Sequence, residues 1–274
     1  MRADLYIVSR GMAPSRTLAQ KLIAAGAVTL DGRPVEKPSL DIPEGEHTLT
    51  VAETDEARYV GRGGLKLEAA LDAFRIDVTG LTLVDVGAST GGFTDCLLRR
   101  GARRVYAVDA GHGQLHPTLR TDPRVVNAEG VNARNLTPAQ LASFDPSARN
   151  PDGTPFDGVT DGGVMDVSFI SQTLILPALR TVIRPGGRLV SLIKPQFECG
   201  PAALSKKGVV TRDRDRQAAV DRVTSSAAAC GFALNGLILS PIRGGDGNVE
   251  YVACFLRTDG VPPAEERTRR SCLN

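Results

Sequence analysis

Leu83-Val84-Asp85-Val86-Gly87-Ala88-Ser89-Thr90-Gly91-Gly92-Phe93-Thr94, followed shortly by Arg104-Val105-Tyr106-Ala107-Val108-Asp109, decides how the chain is read. It is a short apolar strand, a turn of small residues, a helix start, and a second strand that ends in a carboxylate. Glycines let the backbone pass close to a ligand, and a helix N-terminus offers unpaired amide donors. A carboxylate after the second strand can accept both hydroxyls of a ribose. These features together describe the front half of a nucleotide-cofactor site. Dinucleotide binders space their glycines as G-x-G-x-x-G. Here the glycines fall at Gly87, Gly91 and Gly92 behind an acid at Asp85, which weighs against a nicotinamide dehydrogenase.

The spacing D-x-G-x-x-x-G-G, from Asp85 to Gly92, resembles the first motif of class I S-adenosylmethionine-dependent methyltransferases. The resemblance implies that S-adenosylmethionine lies against Asp85, Gly87, Ser89, Thr90, Gly91 and Gly92, with Asp109 on the ribose hydroxyls. Glu129, after the third strand, is a further candidate near the adenine.

Outward from this stretch, apolar strands alternate with helices. Strands are expected near Thr82–Val86, Val105–Asp109, Val125–Ala128, Val159–Val167, Arg188–Ile193, Leu234–Leu239 and Val249–Phe255. Helices are expected from Leu65, at Phe93–Arg100, at Ser168–Ile183 and at Arg214–Cys230. Such alternation predicts a doubly wound α/β fold with a seven-stranded, mostly parallel sheet. Asp145–Asp157, rich in Pro, Asn, Asp and Gly, reads as an exposed loop.

The N-terminal residues read differently. Ser15–Gly26 has a cap, an apolar face at Leu18, Leu22 and Ala25, and a terminating glycine. Strands at Ala27–Leu30 and Arg33–Val35 flank an Asp31-Gly32 turn, and His47–Val51 alternates as a third. The pattern R-G-M-A-x-S-R…A…L-I-x-x-G-x-V…D-G…K-P resembles the RNA-binding module first seen in a small-subunit ribosomal protein. Met1–Lys37 carries six basic residues against three acids. Arg10, Arg16 and Lys21 sit on or beside one helix, suited to phosphate oxygens. The expected division is a small α+β RNA-binding domain at 1–57, a linker at 58–64 whose Arg58 and Arg62 could also reach RNA, a methyltransferase domain at 65–258, and a mobile tail at 259–274.

Composition sets bounds. With 274 residues the chain has room for one large and one small domain. Lys and Arg number 33 against 31 acids, a near balance that selects no partner. Five scattered cysteines with no C-x-x-C pair fit reduced thiols in a cytoplasmic protein. No apolar run is long enough for a membrane span, no signal peptide opens the chain, and His112 and His116 lack a third ligand, so neither membrane nor metal is expected.

Charged residues at the carboxyl ends of the strands carry the chemistry. Asp166, Lys194 and Glu250 each follow or end an apolar strand, where an unused charge is costly. Lys66 opens the helix after the glycine-rich join. Singly each has a structural reading, as a solvated residue, a helix cap or an edge-strand charge. In this order they resemble the K-D-K-E tetrad of RNA ribose 2′-O-methyltransferases.

The segments Arg62–Leu67, Asp166–Ser171, Lys194–Glu198 and Gly247–Tyr251 resemble the haemolysin A (TlyA) family of ribosomal RNA methyltransferases, with its FtsJ-like domain, over nearly the whole chain. The resemblance implies 2′-O-methylation of cytidine in 16S and/or 23S ribosomal RNA, on free RNA or ribosomal subunits. Leu204–Gly208 departs from the more glycine-rich loop of that family, Gly61 stands where serine is common, and Asp145–Asp157 looks inserted. Two readings of other classes stay open at this point: a membrane-active haemolysin and a non-catalytic ribosome-binding factor.

Overall fold

A computed structural model describes residues 1–13, 15–52 and 58–258. The chain divides into two compact units, Met1–Arg62 and Gly63–Asn274.

The first unit holds α1 (Ala3–Ser9), α2 (Arg16–Ala24) and a three-stranded antiparallel sheet of β1 (Val28–Leu30), β2 (Arg33–Pro34) and β3 (Leu49–Val51), in the order β2-β1-β3. The Ser15 hydroxyl accepts the Leu18 N–H at 3.3 Å and caps α2. Asp31 and Gly32 both have positive φ, 51° and 75°, as a tight hairpin turn requires. The buried face of α2 is Ala19, Leu22 and Ile23, not the Leu18–Leu22–Ala25 stripe expected from sequence. The reason is α1, absent from the sequence reading: its Ala3 and Ile7 pack into the same core and turn α2 toward them.

The second unit is the α/β domain. Its sheet has seven strands in the order β6-β5-β4-β7-β8-β10-β9. These are β4 (Thr82–Val86), β5 (Arg104–Asp109), β6 (Val125–Glu129), β7 (Thr160–Met165), β8 (Ile183–Ile193), β9 (Phe232–Leu239) and β10 (Tyr251–Arg257). The strands from β6 to β8 are parallel, and β10 runs antiparallel to both β8 and β9. Helices α3 (Gly63–Ala73), α4 (Gly92–Arg99), α5 (Pro117–Arg120), α6 (Pro138–Ser143), α7 (Leu176–Val182), α8 (Pro195–Glu198) and α9 (Asp213–Ala229) connect the strands. Because β4 pairs with both β5 and β7, the strand order reverses there, and the carboxyl ends of β4 and β7 form the crevice where such sheets bind ligands.

The largest departure from expectation lies at Ser168–Ile183. Only Leu176–Val182 is α-helical; a loop runs to Ser171 and a short 3₁₀ turn spans Gln172–Leu174. Phe169 takes φ of 63°, a left-handed conformation that breaks any helix, and Pro177 sets the start of α7. Asp145–Asp157 is a loop closed by a bridge between Arg149 and Pro155. The expected tail at 259–274 lies outside the described residues.

Candidate active site

The cofactor cleft opens where β4 and β5 end. Gly87 has φ of 83°, and a Cβ there would stand 2.6 Å from the Asp166 carbonyl oxygen, so only glycine lets the two strand ends approach. Ser89 is also left-handed, at 48°, and its N–H donates to Asp109 Oδ2 at 2.7 Å. Asp109 Oδ1 accepts the Gly111 N–H at 2.7 Å. A cleft of about 370 Å³ is lined by Gly87, Ser89, Asp109, Asn132, Asp166 and Phe169, among others. A second cavity, about 290 Å³, opens at the opposite edge of the sheet and holds none of the candidate residues.

Not every residue expected at the cofactor lines this cleft. Gly91, with φ of 95°, and Gly92 form the buried start of α4. Thr90 is exposed, and its carbonyl accepts the His116 N–H at 3.1 Å. Glu129 spends its carboxylate on the Gln114 and Leu115 amides, at 2.6 and 3.0 Å, and on Asn127 at 3.2 Å. Those bonds hold it down to about 2, and it braces the loop that follows β5. Asp85 is fully buried on β4, accepting the Thr94 hydroxyl at 2.7 Å while Oδ1 has no partner. Burial pushes Asp85 up to about 7; the Thr94 bond opposes this, and the Asp166 and Asp109 charges add to it. Asn132, missed in the sequence, caps the turn Ala133–Asn135 through the Arg134 N–H at 3.1 Å and faces the cleft.

The four charged candidates come together as two ion pairs. Lys194 Nζ stands 2.6 Å from Asp166 Oδ1 and donates to Ser168 Oγ at 2.8 Å. Asp166 Oδ1 itself makes no directed hydrogen bond. The side chains of this pair are 11% and 20% exposed. Lys66 Nζ stands 2.5 Å from Glu250 Oε2, with side chains only 8% and 2% exposed. The start of α3 lies against the first pair, since a Cβ on Gly63 would be 3.6 Å from Asp166 Oδ2. Asp166 lines the cleft, and the pairing of Tyr251 with Ile193 across β10 and β8 brings Glu250 near Lys194.

Sequence reading assigned no role to three neighbours. Phe169 is 92% exposed, and its ring centroid lies 5.2 Å from that of Phe197. An apolar ring kept in water beside Lys194 is a signal only the structure supplies. Glu198 is buried; its carboxylate accepts the Ser171 hydroxyl at 2.5 Å and the Gln172 N–H at 2.8 Å. Gln172 in turn accepts the Ser191 hydroxyl at 2.5 Å and donates to the Leu192 carbonyl at 3.3 Å. This buried chain ties the loop after β7 to the end of β8, which sets Asp166 against Lys194. Burial raises the Glu198 carboxyl above its usual range, against the two bonds it accepts.

In the first unit Arg10, Arg16 and Lys21 are all exposed. Arg10 stacks its guanidinium 5.4 Å from the Tyr6 ring. Arg16 is committed in part to Asp4, which is buried and also accepts from Arg2 and Gln20. These donors hold the Asp4 carboxyl well below the usual range. Arg58 and Arg62 are exposed as well. Among the described residues no helix is long and apolar enough to cross a membrane. No described group of three His, Cys, Asp or Glu could hold a metal ion.

The model of the FtsJ-like methyltransferase family matches residues 59–257. The chain belongs to this family. An S4 domain model matches residues 1–47. The FtsJ-like chain is 43% identical over 257 residues to the 16S/23S rRNA (cytidine-2′-O)-methyltransferase TlyA of Mycobacterium tuberculosis, covering 94% of this chain and 90% of that one. It is 39% identical to Hemolysin A of Brachyspira hyodysenteriae, covering 93% and 100%. The solved structure of a haemolysin candidate from Streptococcus thermophilus superposes with a TM-score of 0.70 at 37% identity, covering 99% of this chain and 94% of that one. As a methyltransferase of this family the chain uses S-adenosylmethionine as methyl donor, and the cleft fits it. Gly87 leaves room for a close approach, and Asp109, which lines the cleft, would hold the ribose hydroxyls.

Proposed function

We propose that this methyltransferase modifies the ribose 2′-hydroxyl of cytidine in ribosomal RNA, with Lys66, Asp166, Lys194 and Glu250 framing the acceptor. The observation that carries the reading is the pairing of Lys194 with Asp166 at the mouth of the cofactor cleft. The TlyA relatives named for this reaction, and the S4 match at the N-terminus, point to the same substrate class.

A ribose hydroxyl is a weak nucleophile at neutral pH because it holds its proton. S-adenosylmethionine, when bound, supplies a methyl already activated on a sulfonium. The protein's task is to aim the hydroxyl and stabilise the charge that develops as it reacts. Lys194 does the latter: its ammonium, held by Asp166 and Ser168, favours oxygen in its alkoxide form. Asp166 holds Lys194 through Oδ1, and its other carboxylate oxygen takes the departing proton. Lys66 and Glu250 hold the back of the pocket as a neutral pair. The exposed Phe169 ring offers a stacking face to the base of the nucleotide being modified.

On this reading residues 1–57 dock on structured ribosomal RNA, free or in subunits, and the work is done in the cytoplasm. Residues 58–62 lead to the enzyme proper, whose first helix already begins at Gly63 rather than after the expected linker end at 64. Arg10, Arg16 and Lys21 meet phosphates, joined by Arg58 and Arg62. Asp85, Thr90, Gly91, Gly92 and Glu129 support the cofactor site by shaping its walls, while Gly87, Ser89 and Asp109 face it. The test is nucleoside analysis of ribosomal RNA after incubation with the protein and labelled S-adenosylmethionine. Label in 2′-O-methylcytidine is expected; label only in base-methylated nucleosides, or none, contradicts the proposal.

A further inference from the structure

Ser205-Lys206-Lys207-Gly208 forms a tight turn. The Gly208 N–H donates to the Ser205 carbonyl at 2.9 Å, and Gly208 has φ of 72°. The Ser205 hydroxyl accepts from the amides of Lys207 and Val209, at 3.3 and 3.1 Å, and the Ser205 N–H returns to the Val209 carbonyl at 2.9 Å. A bridge between Leu204 and Val210 closes the base of the loop. Both lysines occupy the apex of this turn and are exposed.

The base of the turn is bolted to the catalytic strand region. Asn248, fully buried, accepts the Val210 N–H at 3.0 Å and donates to the Gly208 carbonyl at 3.1 Å. Two residues further along lies Glu250, the partner of Lys66. In extended chain that separation is about 7 Å. The base of the turn is thus held by the side chain of Asn248, two residues before Glu250.

Its charge is left unbalanced. In the following segment Arg212 pairs with Asp215 at 2.5 Å, and Arg216 pairs with Asp213. Lys206 and Lys207, by contrast, meet no carboxylate among the described residues. Two adjacent exposed ammonium groups at the apex of one turn concentrate positive charge where an anion can meet both. The ligand chemistry that fits is a pair of neighbouring phosphates.

We propose that the Lys206–Lys207 turn grips the RNA backbone next to the ribose being methylated. The proposal rests on the reading of the substrate as ribosomal RNA and adds the surface that holds it near the chemical site. Asn248 is a positioning residue in this account, setting the turn relative to Glu250. Because each ribose is flanked by phosphates, a clamp here fixes the acceptor without reading its base.

The test compares the full-length protein with its Lys206→Gln/Lys207→Gln form, measuring KM for ribosomal RNA between about 50 and 200 mM salt. At the lower salt KM should rise about tenfold, and the slope of log affinity against log salt should become shallower by about 1.5, as loss of two phosphate contacts requires. S-adenosylmethionine affinity and melting temperature should not change, and Lys206→Arg/Lys207→Arg should restore KM. Unchanged KM and slope overturn the proposal, as does a rise in KM accompanied by weaker cofactor binding or a lower melting temperature. If the wild-type protein transfers no methyl to ribosomal RNA, the underlying reading fails first, and the clamp with it.

Discussion

The two lysine–carboxylate pairs of the crevice share a chemistry and differ in their surroundings. Lys66 and Glu250 are almost sealed from water, 2.5 Å apart. Lys194 and Asp166, 2.6 Å apart, keep part of their surface open; Lys194 also donates to Ser168, and the exposed Phe169 follows in the same loop. A sealed pair is expensive to desolvate and dangerous to break, since losing one partner strands a buried charge. An open pair can exchange a partner for a substrate oxygen. On the proposed function, the sealed pair belongs to the frame and the more open one to the reaction.

That contrast is sharpest in stability. Glu250→Ala should lower the unfolding free energy by about 3–5 kcal/mol, whereas Asp166→Ala should lower it by only about 1 kcal/mol. Urea denaturation of both proteins measures this. Equal losses would mean that both pairs are structural. Replacing the whole sealed pair, as Lys66→Met/Glu250→Leu, should recover most of the stability while leaving activity impaired.

Asp85 probes the same crevice through pH. Its carboxyl ionises near 4 in the unfolded chain and at about 7 when folded. Between those values the folded state holds the extra proton, so this group's contribution to stability falls as pH rises, and it levels off above 7. Asn can still accept the Thr94 hydroxyl. Asp85→Asn should therefore gain on the wild type from pH 4 upward, by up to ~4 kcal/mol at neutral pH. A pH-independent difference in melting would show that Asp85 is ionised throughout.

The cofactor wall gives the smallest effect. Asp109→Ala should weaken S-adenosylmethionine binding by about 10- to 100-fold, the worth of a charge-assisted hydrogen bond or two, in isothermal titration. It should leave both ion pairs intact. An unchanged affinity would remove Asp109 from the site.

How much of this was legible in the sequence follows the same division. The strand–turn–helix at Leu83–Thr94 and the strand alternation after it are local patterns, and the seven-stranded sheet follows from them. Partners distant in sequence were less accessible. Glu129 looks like a ligand-facing acid because it ends a strand, yet Gln114 and Leu115 turn back onto it. Ser168–Ile175 has apolar residues at helical spacing, but the loop must expose Phe169 and accept the Glu198 brace, and those demands override the local preference. The Ala3–Ser9 helix is only seven residues long, and Asp4, polar by type, is buried by contacts with Arg2, Arg16 and Gln20 that no periodicity reveals.

The central claim is that Lys194 acts on the reacting oxygen and not on the cofactor or the fold. The direct measurement is single-turnover methyl transfer to ribosomal RNA by Lys194→Ala, with S-adenosylmethionine affinity and melting temperature taken on the same sample. The account predicts a rate reduced by roughly 10²–10³, with affinity and melting temperature near those of the wild type. Transfer at near wild-type rates, or a loss explained by failed cofactor binding, would contradict it.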